Sequence, residues 1–222
     1  MKSFSRPVCT LFVLVSGITS AQVPPSEGEL KRYTGLHRAA AQGEIGEIRN
    51  AKALEARDGY GRTPLHVAAY RRQHGAMRAL VAAGANPDAL ENDRYDIVTI
   101  AAVANDVPTL RLALELGASA KNVTSRYDGT ALIAAAHLGH AEVVRILIGA
   151  GAPLDHVNNL GWTALMESIV LGDGGARHTE TLKALLEAGA NPNIPDRSGT
   201  TPLAHARARG YAQMVTLLNP KP

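Results

Sequence analysis

Apolar residues recur along this chain in paired helical bursts, each pair closed by a glycine turn. In the fourth pair Thr130 opens the first burst, Ala134, Ala135 and Ala136 keep it slim, and Gly139 ends it. Val143, Val144, Ile146, Leu147 and Ile148 then form one apolar face of a second helix, which Gly151 stops. A threonine at the first position can cap the opening turn with its hydroxyl. Proline at Pro64 and Pro202 stands where a missing N–H costs nothing. The local prediction is therefore helix, turn, helix, loop.

The same unit recurs. Taking the capping position as anchor, the copies begin at Thr34, Thr63, Asp96, Thr130, Thr163 and Thr201, with spacings of 29, 33, 34, 33 and 38 residues. A closing Gly-Ala pair falls at Gly84, Gly117 and Gly151, each 21 residues after its anchor, and at Gly189, 26 residues after. The extra residue of the third interval belongs to the connection Ser119 to Gly129. The five extra residues of the last interval belong near Gly172-Asp173-Gly174-Gly175-Ala176. One helix pair has too little apolar surface to fold alone, so neighbours must stack and share a continuous core.

The motifs that carry this pattern are Thr63-Pro64-Leu65-His66 with Gly84-Ala85, Asp58 to Ala69, Thr130 to Asn158, Trp162 to Asn193 and Asp196 to Leu203. On these residues the chain resembles the ankyrin repeat family over roughly Tyr33 to Leu218. The resemblance implies an all-α solenoid of about six helix-turn-helix units with β-turn loops, near 33–56, 57–89, 90–122, 123–156, 157–194 and 195–220. It also implies that His37 and His66 bond to the capping position and to a neighbouring loop. Copy one is short, with Glu44-Ile45-Gly46-Glu47-Ile48 as a weak second helix, which suits a polar terminal cap. In copy three Asp96-Ile97-Val98-Thr99 replaces Thr-Pro-Leu-His, so a plainer helix start is expected there.

The first 21 residues read as a cleavable secretory signal. Lys2 and Arg6 give a positive start, Val8 to Ile18 an apolar stretch too short to span a bilayer comfortably, and Thr19-Ser20-Ala21 a small-residue cleavage site. A signal anchor is the alternative. The expectation is periplasmic residence, or secretion, without membrane insertion after cleavage. Residues 22–32, rich in proline and polar side chains, are expected to be a flexible lead-in. The chain carries 23 basic and 20 acidic residues, a formal charge of +3 that becomes +1 without Lys2 and Arg6. No dense basic run remains to mark a nucleic-acid partner. Cys9, the single cysteine, leaves with the signal, so no disulfide is expected.

Nothing in the sequence announces an enzyme. There is no phosphate-binding or dinucleotide glycine loop, no nucleophile elbow, and no cofactor signature. His137 and His140 lack further ligands for a metal. The Gly172 to His178 insertion lacks the Lys-Ser/Thr or acidic ligands of a phosphate or calcium loop, though a small-molecule site or enzyme built on residues 172–178 is the alternative reading. The favoured expectation is a non-catalytic module, monomeric alone, that binds a protein of the cell envelope as scaffold, helper or inhibitor. The resemblance puts the positions three and four before each anchor, one before it, and seven and eight after it on loop tips and inner helices, where partners of the family dock. Tyr60, Arg62, Tyr70, Arg71, Tyr95, Arg126, Tyr127 and Trp162 occupy them. Rings and guanidinium groups of this kind dominate interface hot spots, so these residues are the candidate binding strip on the concave face.

Overall fold

The computed structural model describes residues 22–219; the expected export signal, 1–21, lies outside them. A leading helix α1 (Glu27–Arg32) precedes six helix pairs. These are α2 (Gly35–Gln42) with α3 (Ile45–Ile48), α4 (Pro64–Tyr70) with α5 (His74–Ala82), and α6 (Ile97–Val103) with α7 (Val107–Glu115). There follow α8 (Ala131–His137) with α9 (Ala141–Gly149), α10 (Ala164–Val170) with α11 (Ala176–Glu187), and α12 (Pro202–Ala208) with α13 (Ala212–Leu218). Between units three and four, β1 (Val123–Thr124) and β2 (Gly129–Thr130) form a two-stranded antiparallel ladder with Val123 opposite Thr130. The predicted all-α solenoid of six units with turn-like loops is the observed fold.

The anchors do what their chemistry predicts. The side chains of Thr63, Thr130, Thr163 and Thr201 each accept the backbone N–H three residues on, and so satisfy one orphan donor of the opening turn. Unit three is not the plain start expected: the Asp96 carboxylate accepts from Thr99 N at 2.7 Å. Thr34 in unit one makes no such bond. The N–H of Thr63 donates to His66 Nδ1 at 3.1 Å, and His66 Nε2 lies 3.1 Å from the Tyr95 carbonyl, tying unit two to the loop of unit three. Burial pushes the His66 imidazole down to about 4, which suits a ring that accepts at one nitrogen and donates at the other. His37 Nε2 makes the equivalent contact one unit earlier, 2.9 Å from the Arg62 carbonyl.

Successive first helices pack side by side along the stack from α2 to α12, and α3–α5, α7–α9, α9–α11 and α11–α13 do the same in the second layer. Ala39, Ala40, Ala68, Ala101, Ala135 and Ala136 are fully or almost fully buried where first helices meet, and Leu80, Leu110, Leu147 and Leu185 fill the space behind them. Loops stack as well. Tight turns are built on Asp58, Asn158 and Asp196, whose Oδ1 atoms each accept two N–H groups at 2.9–3.0 Å. One turn then bonds to the next: Asn92 N donates to Tyr60 O at 3.0 Å, Ser125 N to Arg94 O at 3.2 Å, and Asn159 N to Tyr127 O at 2.9 Å.

The inserted residues of unit five divide between loop and helix. In units two, three and four three residues join the first helix to a second helix of nine; here five residues, 171–175, lead into the twelve residues of α11. The insertion is thus not confined to the connection, because Ala176 to Glu180 carry the helical pattern outward by about one turn. His178, in the first turn of α11, lies with Nδ1 2.8 Å from Asp173 of the loop and Nε2 3.0 Å from the carbonyl of His137, and Tyr211 Oη donates to Gly172 O at 3.0 Å. The loop's polar groups are spent on holding units four, five and six together.

Leu147 is fully buried between layers. Leu147→Ala should cost about 2–5 kcal/mol, and native-state hydrogen exchange should show protection falling most in the adjacent units. Equal loss of protection from end to end would count against nearest-neighbour stacking.

Candidate interaction face

The first helices and the loop tips together form one continuous face. Part of it is already covered. Residues 22–32 are not the flexible lead-in expected from their composition, for Ser26 and Glu29 close a reciprocal capping box that starts α1. Pro25 is buried, Val23 O accepts from Arg62 Nη1 at 2.9 Å, and Glu29 binds Arg62 Nη2. Gln22 reaches as far as unit three, its Nε2 donating to Ile100 O at 2.7 Å.

Arg62 holds this segment, and its position corrects the sequence reading of it as an exposed donor. Its side chain is 0% exposed, and Nε donates to Asp58 at 2.7 Å. Two carboxylates and a carbonyl fill the fork of a planar guanidinium, the geometry that lets a charge be buried. Burial opposes ionisation of both carboxylates, but hydrogen bonds outweigh it. Those from Ser26 and Arg62 hold Glu29 below the usual carboxylate range, and those from Tyr33 and Arg62 do so for Asp58. Sequence could not show this, because Glu29 and Arg62 are 33 residues apart and meet only when the lead-in folds back.

The other candidates separate by environment. Tyr60 is 43% exposed at a loop tip, its ring 4.5 Å from the Arg62 guanidinium carbon. Arg71 is exposed and lies 3.9 Å from Glu27 of α1. Tyr70 is half-buried against the core. Tyr95, expected at the surface, is 5% exposed and belongs to the core; its N–H donates to Glu91 and its carbonyl receives His66. Arg126 is exposed and pairs with Asp93 of the preceding loop. Tyr127 and Trp162 are half-buried, each held through its backbone in the loop stack.

Beyond Gln22 the uncovered part of the face carries a cavity of about 230 Å³ between units three and five. Tyr127, Val103, Ala134, Leu138, Leu160 and Leu171 give it largely apolar walls, and Gln22 borders it. At its buried end stands Glu167, 5% exposed, with Asn158 Nδ2 donating to Oε1 at 2.7 Å and His137 Nδ1 3.3 Å from Oε2. Sequence reasoning missed Glu167. The signal was available, since four residues after the anchor units two, three and four place Val67, Ile100 and Ala134 where unit five places this carboxylate. Among the described residues no group of three or more histidine, cysteine or acidic side chains could hold a metal ion, and no helix is long and apolar enough to cross a membrane. His140 Nδ1 is occupied by the Ala102 carbonyl at 3.0 Å.

Arg62→Ala would leave two carboxylates poorly solvated and unpaired, and should cost roughly 3–5 kcal/mol. Tryptic cleavage after Lys31 and Arg32 should accelerate, because the lead-in loses its holder. In the wild type the same release should come with acid: folded-state values lie below 4.5 for Glu29 and 3.8 for Asp58, so the clamp is complete above those values and loosens as pH falls through the folded ones. Cleavage unchanged in Arg62→Ala would refute the clamp.

Family profiles match the chain in three places: ankyrin repeats in three copies over residues 98–196, ankyrin repeats in many copies over 175–218, and a single ankyrin repeat over 60–92. The ankyrin repeat protein YahD of Escherichia coli K12 is 33% identical over 185 residues, which cover 81% of this chain and 92% of YahD. The crystal structure of an ankyrin repeat domain from Acinetobacter baumannii is 45% identical, with a TM-score of 0.77 over 82% of this chain and 95% of that one. The ankyrin repeat domain of Bcl-3, a member of the IκB protein family, is 29% identical with a TM-score of 0.74, over 84% of this chain and 85% of that domain. With its anchors, stacked helix pairs and loop turns arranged as in these proteins, the chain belongs to the ankyrin repeat family.

Proposed function

We propose that this chain is an exported, non-catalytic interaction module of the periplasm that binds a protein partner on the uncovered first-helix and loop face of units three to five, as a scaffold, helper or inhibitor. Ankyrin repeats are in general protein-interaction modules. The observation that carries the reading here is the division of the face. Its early units are covered by the chain's own residues 22–32, whereas the later units offer an apolar cavity flanked by Tyr127 and by the loop tips of Arg126 and Trp162. Half-buried rings on a rigid frame provide contact area at low entropic cost. Arg62 is buried and is not part of this surface, and Tyr95, buried in the core, contributes only to the wall of the cavity. Tyr60 and Arg71 stand beside the lead-in at the other end of the face.

Export is tested by intact mass. Protein recovered from a periplasmic fraction should lack residues 1–21, and full-length chain confined to the cytosol would end the proposal of export.

The surface is tested by truncation. With a partner crosslinked in envelope extracts and identified by mass spectrometry, Tyr127→Ala and Trp162→Ala should leave the melting temperature near wild type, and at least one should weaken binding by about 2 kcal/mol or more. A sharp drop in melting temperature with unchanged affinity of the folded protein would make these rings structural instead.

A further inference from the structure

We infer that the cavity between units three and five is a receptor for a lysine side chain presented by an extended segment of the partner, with Glu167 as the group that recognises its ammonium. The inference rests on the protein-interaction reading above and adds the chemistry of the contact. Its first support is electrostatic. No lysine or arginine lines the cavity, and Glu167 is the one carboxylate in its wall. Asp58 and the buried Asp106 each hold an arginine, at 2.7 and 2.8 Å, and the buried Glu91 and Asp96, which have no arginine or lysine partner among the described residues, lie outside the cavity wall; within it Glu167 has only the Asn158 amide and the His137 ring. A carboxylate desolvated to this degree is costly unless a cation meets it, and it repels an anionic or electron-rich ligand.

Position within the repeat is the second support. The unit-five site replaces the Val67, Ile100 and Ala134 of the three preceding units, so a charge stands where those units pack an apolar side chain; units one and six have Arg38 and His205 there, and His205 bonds Asp196 of its own turn as Glu167 bonds Asn158. Of these polar groups only Glu167 lines the cavity. The third is shape. At about 230 Å³ the cavity is smaller than the ~300–1,000 Å³ pockets that enclose drug-sized ligands, and it fits a single side chain. Apolar walls leading to a carboxylate match a methylene stem ending in a point charge. Each Glu167 oxygen already has one polar neighbour, which leaves single acceptor positions for an ammonium and obstructs the parallel two-bond fork of an arginine.

The chain itself shows that an extended segment can lie on this face. Residues 22–25 have no helical structure there, Val23 O accepts from Arg62, the Gln22 side-chain Nε2 donates to Ile100 O, and Gln22 borders the cavity. A partner segment continuing along that line would place a side chain over Glu167.

The test uses the isotopically labelled protein, with residues 22–32 in place, and four capped amino acids as probes: the Nα-acetyl N′-methylamides of lysine, norleucine, arginine and glutamate. Lysine should give saturable amide shifts in Thr130, Ala134, Asn158 and Glu167. Norleucine, which keeps the stem and lacks the charge, should bind about tenfold more weakly, the scale of one charge-assisted hydrogen bond. Glu167→Gln should abolish the difference between the two. Equal binding of lysine and norleucine, or saturation of the same amides by the glutamate probe, would overturn the assignment. Tighter binding of arginine would overturn the choice of an ammonium. Should Glu167→Gln fail to fold, the wild-type ratio of lysine to norleucine decides alone. A captured partner indifferent to a folded Glu167→Gln would sink the cavity assignment and spare the interaction reading. Saturable lysine binding together with failure to recover any partner from envelope extracts would spare the cavity assignment and sink the interaction reading.

Discussion

Every element of this protein depends on the fact that no helix pair can bury its own apolar face. The first helices of units two to six are only seven residues long, well below the length at which an isolated helix holds in water. They persist because each lies between two others, with alanine at the contact so that the backbones approach closely. Capping, loop turns and the His66 bridge then fix how far one unit is offset from the next. A stack built this way is rigid along its length without a central core, and it exposes a continuous face whose side chains are free to vary.

That freedom is used differently at the two ends of the face. In unit two the position before the anchor holds Arg62, a charge that can be buried only if acceptors arrive from elsewhere. The lead-in supplies two of them, Val23 O and Glu29, while Asp58 supplies the third. A segment that composition alone makes a solvated linker becomes part of the folded domain for this reason. In unit five the departure is of the opposite sign, a buried carboxylate with no permanent cation, and there the face stays open.

The insertion in unit five belongs with this asymmetry. Asp173, His178 and Gly172 are engaged with α11, with unit four and with Tyr211 of unit six, so the longer α11 is braced on both sides. The insertion therefore supports the part of the stack that carries the cavity, and the first residue of that connection, Leu171, is itself part of the cavity wall.

The sequence by itself determined the repeat period, the six anchors and the helix-turn-helix order, while the role of His66 followed from the resemblance to ankyrin repeats. These depend on local chemistry repeated at a fixed interval: a capping oxygen, a proline at the first helical position, a glycine where the backbone turns left-handed. Even the exception at Asp96 obeys it, since a carboxylate caps as a hydroxyl does. Tertiary structure alone decided which polar residues of the face are exposed. Arg62 and Tyr95 occupy positions that the repeat pattern assigns to the surface, and both are buried, one by a segment from outside the repeats and the other by the loops on either side. Glu167 was visible as an oddity within its own register, but its meaning required the cavity beside it. Local pattern fixes where a side chain leaves the backbone, whereas solvent exposure and partners depend on residues some thirty positions away, and those are set only when the units stack.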